Sequence, residues 1–144
     1  LIQGIEKITS KDGLGLSPKR ITVSTSGISK LIIKMADDKV KFNLAVSLHS
    51  AIEKTRNKIM PFSKKFPLDE LLDAIKYWFK KTGKIVTYEY IIWKGVNDDL
   101  EHINALVRYC KASPSKVNIA SNSTFLGNAL VRSIKKALLL KSNL

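Results

Sequence analysis

Apolar and polar residues alternate along this chain with two periods, and the period switches several times. Ile2, Ile5 and Ile8 recur at helical spacing until Lys11-Asp12-Gly13-Leu14-Gly15 breaks the pattern, so residues 1–11 read as the end of a helix. Arg20-Ile21-Thr22-Val23-Ser24-Thr25-Ser26-Gly27 is β-branched and alternating, which predicts a strand. Gly27 then allows a sharp turn into a helix over 28–36. A second strand is predicted over 41–49, where a near-continuous apolar centre suggests cover on both faces. The clearest helix spans 67–82. Pro67 fits its first position, Asp69 and Glu70 its first turn, Lys80 and Lys81 its last, and Gly83 its left-handed stop. Its apolar face is predicted to be Leu68, Leu71, Leu72, Ile75 and Phe79.

A third strand is predicted over 84–93. Asn97 or Asp98 is expected to cap a helix with Leu100, Ile103, Leu106, Val107 and Cys110 on one side. A short fourth strand follows at 116–120, and a last helical pattern at 128–141. Strand and helix alternate throughout, so the fold class is α/β: parallel β/α repeats with crossover helices. Four strands cannot close an eight-stranded barrel. The sheet is therefore open, or it is part of an incomplete TIM-like barrel.

Composition narrows the partners. The 144 residues carry a formal charge of +13, and lysine far outnumbers arginine. Such a surface attracts polyanions, RNA or DNA first, through diffuse phosphate contacts rather than bidentate base readout. The last acid is Glu101, and every charged residue after it is Lys or Arg. No apolar run approaches the roughly 18 residues of a membrane span, so no membrane partner is expected. The single cysteine, Cys110, suits a reducing cytoplasm. It cannot hold a metal cluster alone, and on a helical apolar stripe it reads as a buried structural thiol. The chain opens at Leu1 without Met or a signal-peptide pattern, which fits a segment taken from something longer.

Ligands of parallel β/α folds sit at the carboxyl ends of the strands. There the sequence places Ser24-Thr25-Ser26-Gly27, Ser47-Leu48-His49-Ser50 and Ser121-Asn122-Ser123. Any one of these serines is more simply a turn former. Three polar strand ends on one rim are the equipment for a small polar ligand bearing a ribose or a carboxylate. There is no nucleophile–base–acid triad, no Gly-rich phosphate loop and no ligand-spaced zinc motif.

Leu16–Gly27, Leu44–Ser50, Arg56-Asn57-Lys58-Ile59-Met60-Pro61, Val86–Tyr90, Gly95-Val96-Asn97-Asp98 and Lys116–Ile119 occur in an order and spacing that resemble a known family. It is the radical S-adenosylmethionine (SAM) methyltransferases that act on carbon 2 of adenine in ribosomal and transfer RNA. The resemblance covers about residues 1–119. It implies part of a partial barrel, SAM and a 4Fe-4S cluster as cofactors, 23S rRNA and tRNA as partners, and a monomeric full-length protein. By motif position it makes Ser24, Ser47, Leu48, His49 and Asn122 SAM contacts.

The chain also departs from that family. It lacks the C-x3-C-x2-C cluster loop, the Gly-Glu-Pro segment and the methyl-carrying cysteine. Asn122-Ser123 stands one place early for the family's Asn-Pro pair, and the proline is missing. Residues 1–121 therefore read as core fragment, and 122–144 as a divergent basic tail. A shifted reading frame is one possible source of that tail; divergence is another. No catalytic residue and no metal ligand is assigned, and the chain is expected to be inactive alone. Two other classes fit the residues: a non-catalytic basic RNA-binding module, and another β/α enzyme that binds a phosphorylated small molecule.

Overall fold

A computed structural model describes residues 2–121 and Arg132. Asn122, Ser123 and, Arg132 apart, the helical pattern at 128–141 lie outside the described residues. Four strands form one all-parallel sheet in the order β1-β2-β3-β4, with β1 at Thr22–Thr25, β2 at Asn43–Ser47, β3 at Val86–Ile92 and β4 at Ser115–Ser121. Helix α1, Ile2–Thr9, precedes them. Helix α2, Ser29–Asp37, joins β1 to β2. Helices α3, Glu53–Ile59, and α4, Leu68–Thr82, join β2 to β3, and α5, Leu100–Lys111, joins β3 to β4. Spatial order follows chain order with no reversal. A doubly wound sheet reverses at a switch point, whereas an arc of a β/α barrel does not. The choice left open by the strand count is settled in favour of the barrel arc.

One face of the sheet carries the core. Leu44, Val46 and Leu48 from β2 and its end, Val86, Tyr88, Tyr90 and Ile92 from β3, and Ile119 from β4 pack with Ile32 and Met35 of α2, Leu71, Ile75 and Trp78 of α4, and Leu106 of α5. Each large side chain buried in this way contributes about 1.5–3 kcal/mol. Along β3 the burial alternates strictly. Val86, Tyr88, Tyr90 and Ile92 are buried, and Thr87, Glu89 and Ile91 are half-buried. At the centre of β2, by contrast, Leu44, Ala45 and Val46 are all buried, as the near-continuous apolar run predicts. Among the described residues the core helices pack on the side of Leu44 and Val46, and Ala45 is buried on the other side.

Several local expectations shift by one position for physical reasons. Pro67 is the N-cap of α4, with φ −56 and ψ 154, rather than its first helical residue. The orphan N–H of Leu68 is satisfied by Glu53 Oε2 at 2.7 Å. The buried stripe of α4 runs through Leu68, Leu71, Ala74, Ile75 and Trp78, while Phe79 is left 40% exposed. Gly83 is the left-handed stop, at φ 68. Helix α5 is capped by Asp99, whose carboxylate accepts from His102 N at 2.9 Å, and neither Asn97 nor Asp98 takes that role. Leu100 is exposed, and His102, Ala105 and Leu106 face inward. Helix α3 has no strong apolar period, and the pattern of the sequence predicts no element there. It is held by one buried side chain, Arg56.

Candidate functional site: the uncovered face of the sheet

The strands pair so that side chains pointing away from the helices form rows. Ser24, Ala45, Thr87 and Lys116 lie in one register row, and Ser47, Glu89 and Asn118 in the next. Ser24, Lys116 and Asn118 are exposed; Ser47, Thr87 and Glu89 are half-buried. Ala45 at the centre keeps the floor low. The hydroxyls of Ser24 and Ser47 have no hydrogen-bond partner among the described residues. Asn118 Nδ2 donates to Glu89 Oε2 at 2.9 Å. The result is a shallow polar surface with free hydroxyls and a fixed carboxylate.

At the carboxyl end of β2 the chain makes a strained turn. His49 has φ 55, and Ser50 N donates to Leu48 O at 2.7 Å across it. Non-glycine residues rarely adopt this conformation and do so where surrounding structure enforces it. Here the enforcement is Asn97, which is 1% exposed. Its Nδ2 donates to His49 O at 2.7 Å and to Ile91 O at 2.8 Å, and its Oδ1 accepts from Trp93 N at 2.7 Å. The Nδ1 of His49 accepts from Ile91 N at 3.3 Å. In the neutral ring that bond assigns the proton to Nε2, leaving an N–H free to meet a ligand. Burial, then the Arg56 guanidinium, hold the imidazole below its usual range, and Glu89 opposes them. The ring lies edge-on to Trp93, 5.4 Å between centroids.

Arg56 secures the end of β1. It is fully buried, and its Nη2 donates to Ser26 O at 2.9 Å and its Nη1 to Phe66 O at 3.2 Å. Its Nη2 also lies 2.8 Å from the point where a Cβ of residue 27 would stand, which with φ +93 explains the glycine there. Thus β1 and β2 both end in turns pinned from beneath.

The predicted site residues are distributed unevenly. Ser24, Ser47 and His49 share the uncovered face or its rim. The Leu48 side chain is buried in the core, its N–H donates to Glu89 O at 3.0 Å, and its carbonyl accepts from Ser50. Asn122 lies outside the described residues. Ser50 is fully buried and bonds with Ile52, and Thr25 accepts from Gly27 N, so both are turn formers. Glu89, Thr87, Asn118 and Asn97 were not singled out as site residues by their chemistry. The signal was present in β3, where polar residues alternate with Val86, Tyr88 and Tyr90. The second histidine, His102, links α3 to α5 by Thr55 Oγ1 at 2.9 Å and Asp99 Oδ1 at 2.8 Å. Cys110 is partly buried, which pushes its thiol up to about 12, as a structural thiol should be.

A parallel β/α arc with an uncovered polar inner face defines the class. The arc is similar to a solved radical SAM methyltransferase from Sphaerobacter thermophilus, with a TM-score of 0.85 and 27% identity over 96% of this chain and 43% of that one. No family model matches the chain. Over 119 residues it is 64% identical to a probable dual-specificity RNA methyltransferase RlmN of Flavobacterium psychrophilum and 40% identical to one of Geobacillus thermodenitrificans. Over those 119 residues the chain is similar to RlmN methyltransferases. The matched residues are 83% of this chain, and the chain spans about a third of the length of the curated relatives it matches.

Proposed function

We propose that this arc is the SAM-holding part of an enzyme that methylates carbon 2 of adenine in 23S rRNA and tRNA, and that these 144 residues do not carry the reaction alone. The observation that carries this reading is the trio of Ser24, Ser47 and His49. Two unpartnered hydroxyls stand on one face of the sheet, and the turn that carries the half-buried imidazole at its rim is locked by Asn97. SAM offers matching groups: a carboxylate and ribose hydroxyls for these donors, and an ammonium for the Glu89 carboxylate. When bound, SAM supplies the methyl group. The residues here orient it, and Arg56 and Asn97 keep the two strand ends from moving as it binds. The 4Fe-4S cluster of the family does not fit these residues, because Cys110 is the one cysteine in the chain and such clusters are held by thiolates. The RNA assignment is supported by the charge of +13.

Saturation-transfer NMR with SAM and the 144-residue chain tests the reading, since it detects weak binding. The expected result is transfer to ribose and methionyl protons, reduced in Ser47→Ala and in His49→Ala. A lost hydrogen bond costs about 0.5–1.5 kcal/mol, or severalfold in affinity. No transfer from the unaltered chain to SAM, or transfer undiminished in both variants, would defeat it.

A further inference from the structure

The opposite end of the sheet carries a second, unrelated surface. Three connections meet at the amino ends of the strands: the turn at Pro18–Arg20 before β1, residues 39–41 before β2, and residues 81–84 before β3. They enclose a cleft of about 330 Å³ whose lining includes Lys19, Lys39, Lys41, Lys81, Lys84 and Thr82. Lys84 is fixed, its Nζ donating to the carbonyls of Lys41 and of Phe42. Lys81 is partly compensated by Asp37 at 3.7 Å. Lys19, Lys39 and Lys41 are exposed, and no carboxylate pairs with them among the described residues. The backbone holds two of these three in place. Asn43 Nδ2 donates to Lys19 O at 2.8 Å, and Lys39 sits at φ 48 with its N–H on Ala36 O. Burial, then Lys19, lower the proton affinity of Lys84, so the ammoniums are close enough to repel one another. Such a cluster is relieved by an anion.

We infer that this cleft takes backbone phosphates of an RNA duplex, as a contact remote from the SAM face. Lysines are point charges on flexible stems and suit the diffuse field of a phosphate backbone, whereas a small phosphate ester is more often gripped by arginine forks or backbone N–H groups. The seven-residue β3 separates the two ends of the sheet by about 20 Å. The inference depends on the reading above only in choosing RNA as the polyanion.

The test is fluorescence anisotropy of a labelled RNA stem–loop with the 144-residue chain over a salt series. The probe protein is Lys39→Gln/Lys41→Gln, and the control is Lys30→Gln/Lys76→Gln on the outer faces of α2 and α4. Circular dichroism verifies that each variant is folded. Losing two duplex phosphate contacts lowers the slope of log K against log salt by about 1.8, or about 60-fold in affinity at about 0.1 M if the lines meet at about 1 M. The cleft variant should show that loss and the control less than half of it. SAM binding by the cleft variant should not change, which separates failure of this inference from failure of the SAM reading. Equal losses in both variants, no loss in either, or no RNA binding by the unaltered chain would overturn the inference. So would inorganic phosphate saturating the amide shifts of Lys19, Lys39 and Lys41 while RNA leaves them unmoved, the mark of a small-anion site.

Discussion

Replacing Gly27 with alanine should be far more damaging than one methyl suggests. The new Cβ would stand 2.8 Å from Arg56 Nη2 and 3.1 Å from Leu71 Cδ2. Arginine tips usually swing aside, but this one is fully buried and donates to Ser26 O and Phe66 O. Moving it weakens at least one hydrogen bond from a charged group, about 1.5–3 kcal/mol. The backbone at φ +93 adds about 1–2 kcal/mol of strain for any L side chain. The expected loss is thus about 2.5–5 kcal/mol, against a total stability of about 5–15 kcal/mol for a domain. Urea unfolding followed by circular dichroism reads it. With a slope of about 2 kcal/mol per molar, the midpoint should fall by about 1.25–2.5 M. Gly83→Ala is the control, because Gly83 also has a positive φ, 68, but nothing within 4 Å of its Cβ position. That variant should lose only the strain. In an Arg56→Met background, Gly27→Ala should cost little more than the strain too. If Gly27→Ala costs no more than Gly83→Ala, or the same with and without the guanidinium, the clash with Arg56 is not what keeps residue 27 a glycine.

Three further outcomes are expected. Asn97→Ala leaves His49 O, Ile91 O and Trp93 N without their partner and should cost about 2–4 kcal/mol in urea unfolding; a loss under about 1 kcal/mol would mean that water replaces the amide at no cost. The imidazole of His49 has a folded pKa below its unfolded value of about 6.5, so the unfolded chain binds the proton first, and stability should decline as pH falls through 6.5 toward the folded value; thermal unfolding of His49→Gln should decline less over that window, and matching profiles would remove His49 as the cause. Anaerobic reconstitution with iron and sulfide should give no stoichiometric four-iron absorbance, because one cysteine cannot supply the thiolates; a full-occupancy cluster would contradict the requirement for several thiolates.

The strands and long helices were legible because their signals are local. Gly83, the dipole-matched ends of α4, and the alternation in β1 and β3 can be read without knowing any neighbour. What escaped depends on residues far apart in the chain. Glu53 takes over the capping of Leu68 from 15 positions away, so Pro67 need not sit inside the helix. Asn97 looks like a helix cap from its surroundings but is claimed by His49, 48 positions earlier. Arg56 reads as one more surface cation, and only the fold shows it beneath Gly27. The site was half legible for a related reason. Polar strand ends pointed to Ser24, Ser47 and His49, but the rows that add Thr87, Glu89 and Asn118 exist only through register.

The unreversed strand order bears on how the chain behaves in solution. Among the described residues β1 is paired on one side, against β2, so it leaves a column of peptide groups directed outward at the spacing of a further parallel strand. Capture of a strand there is second order in protein. Dilute chain satisfies the column with water, whereas concentrated chain can zip edge to edge. A polypeptide bearing complementary β/α units would compete for the same groups. The arc is in this sense a socket, and self-association should recede as a matching half-barrel is titrated in.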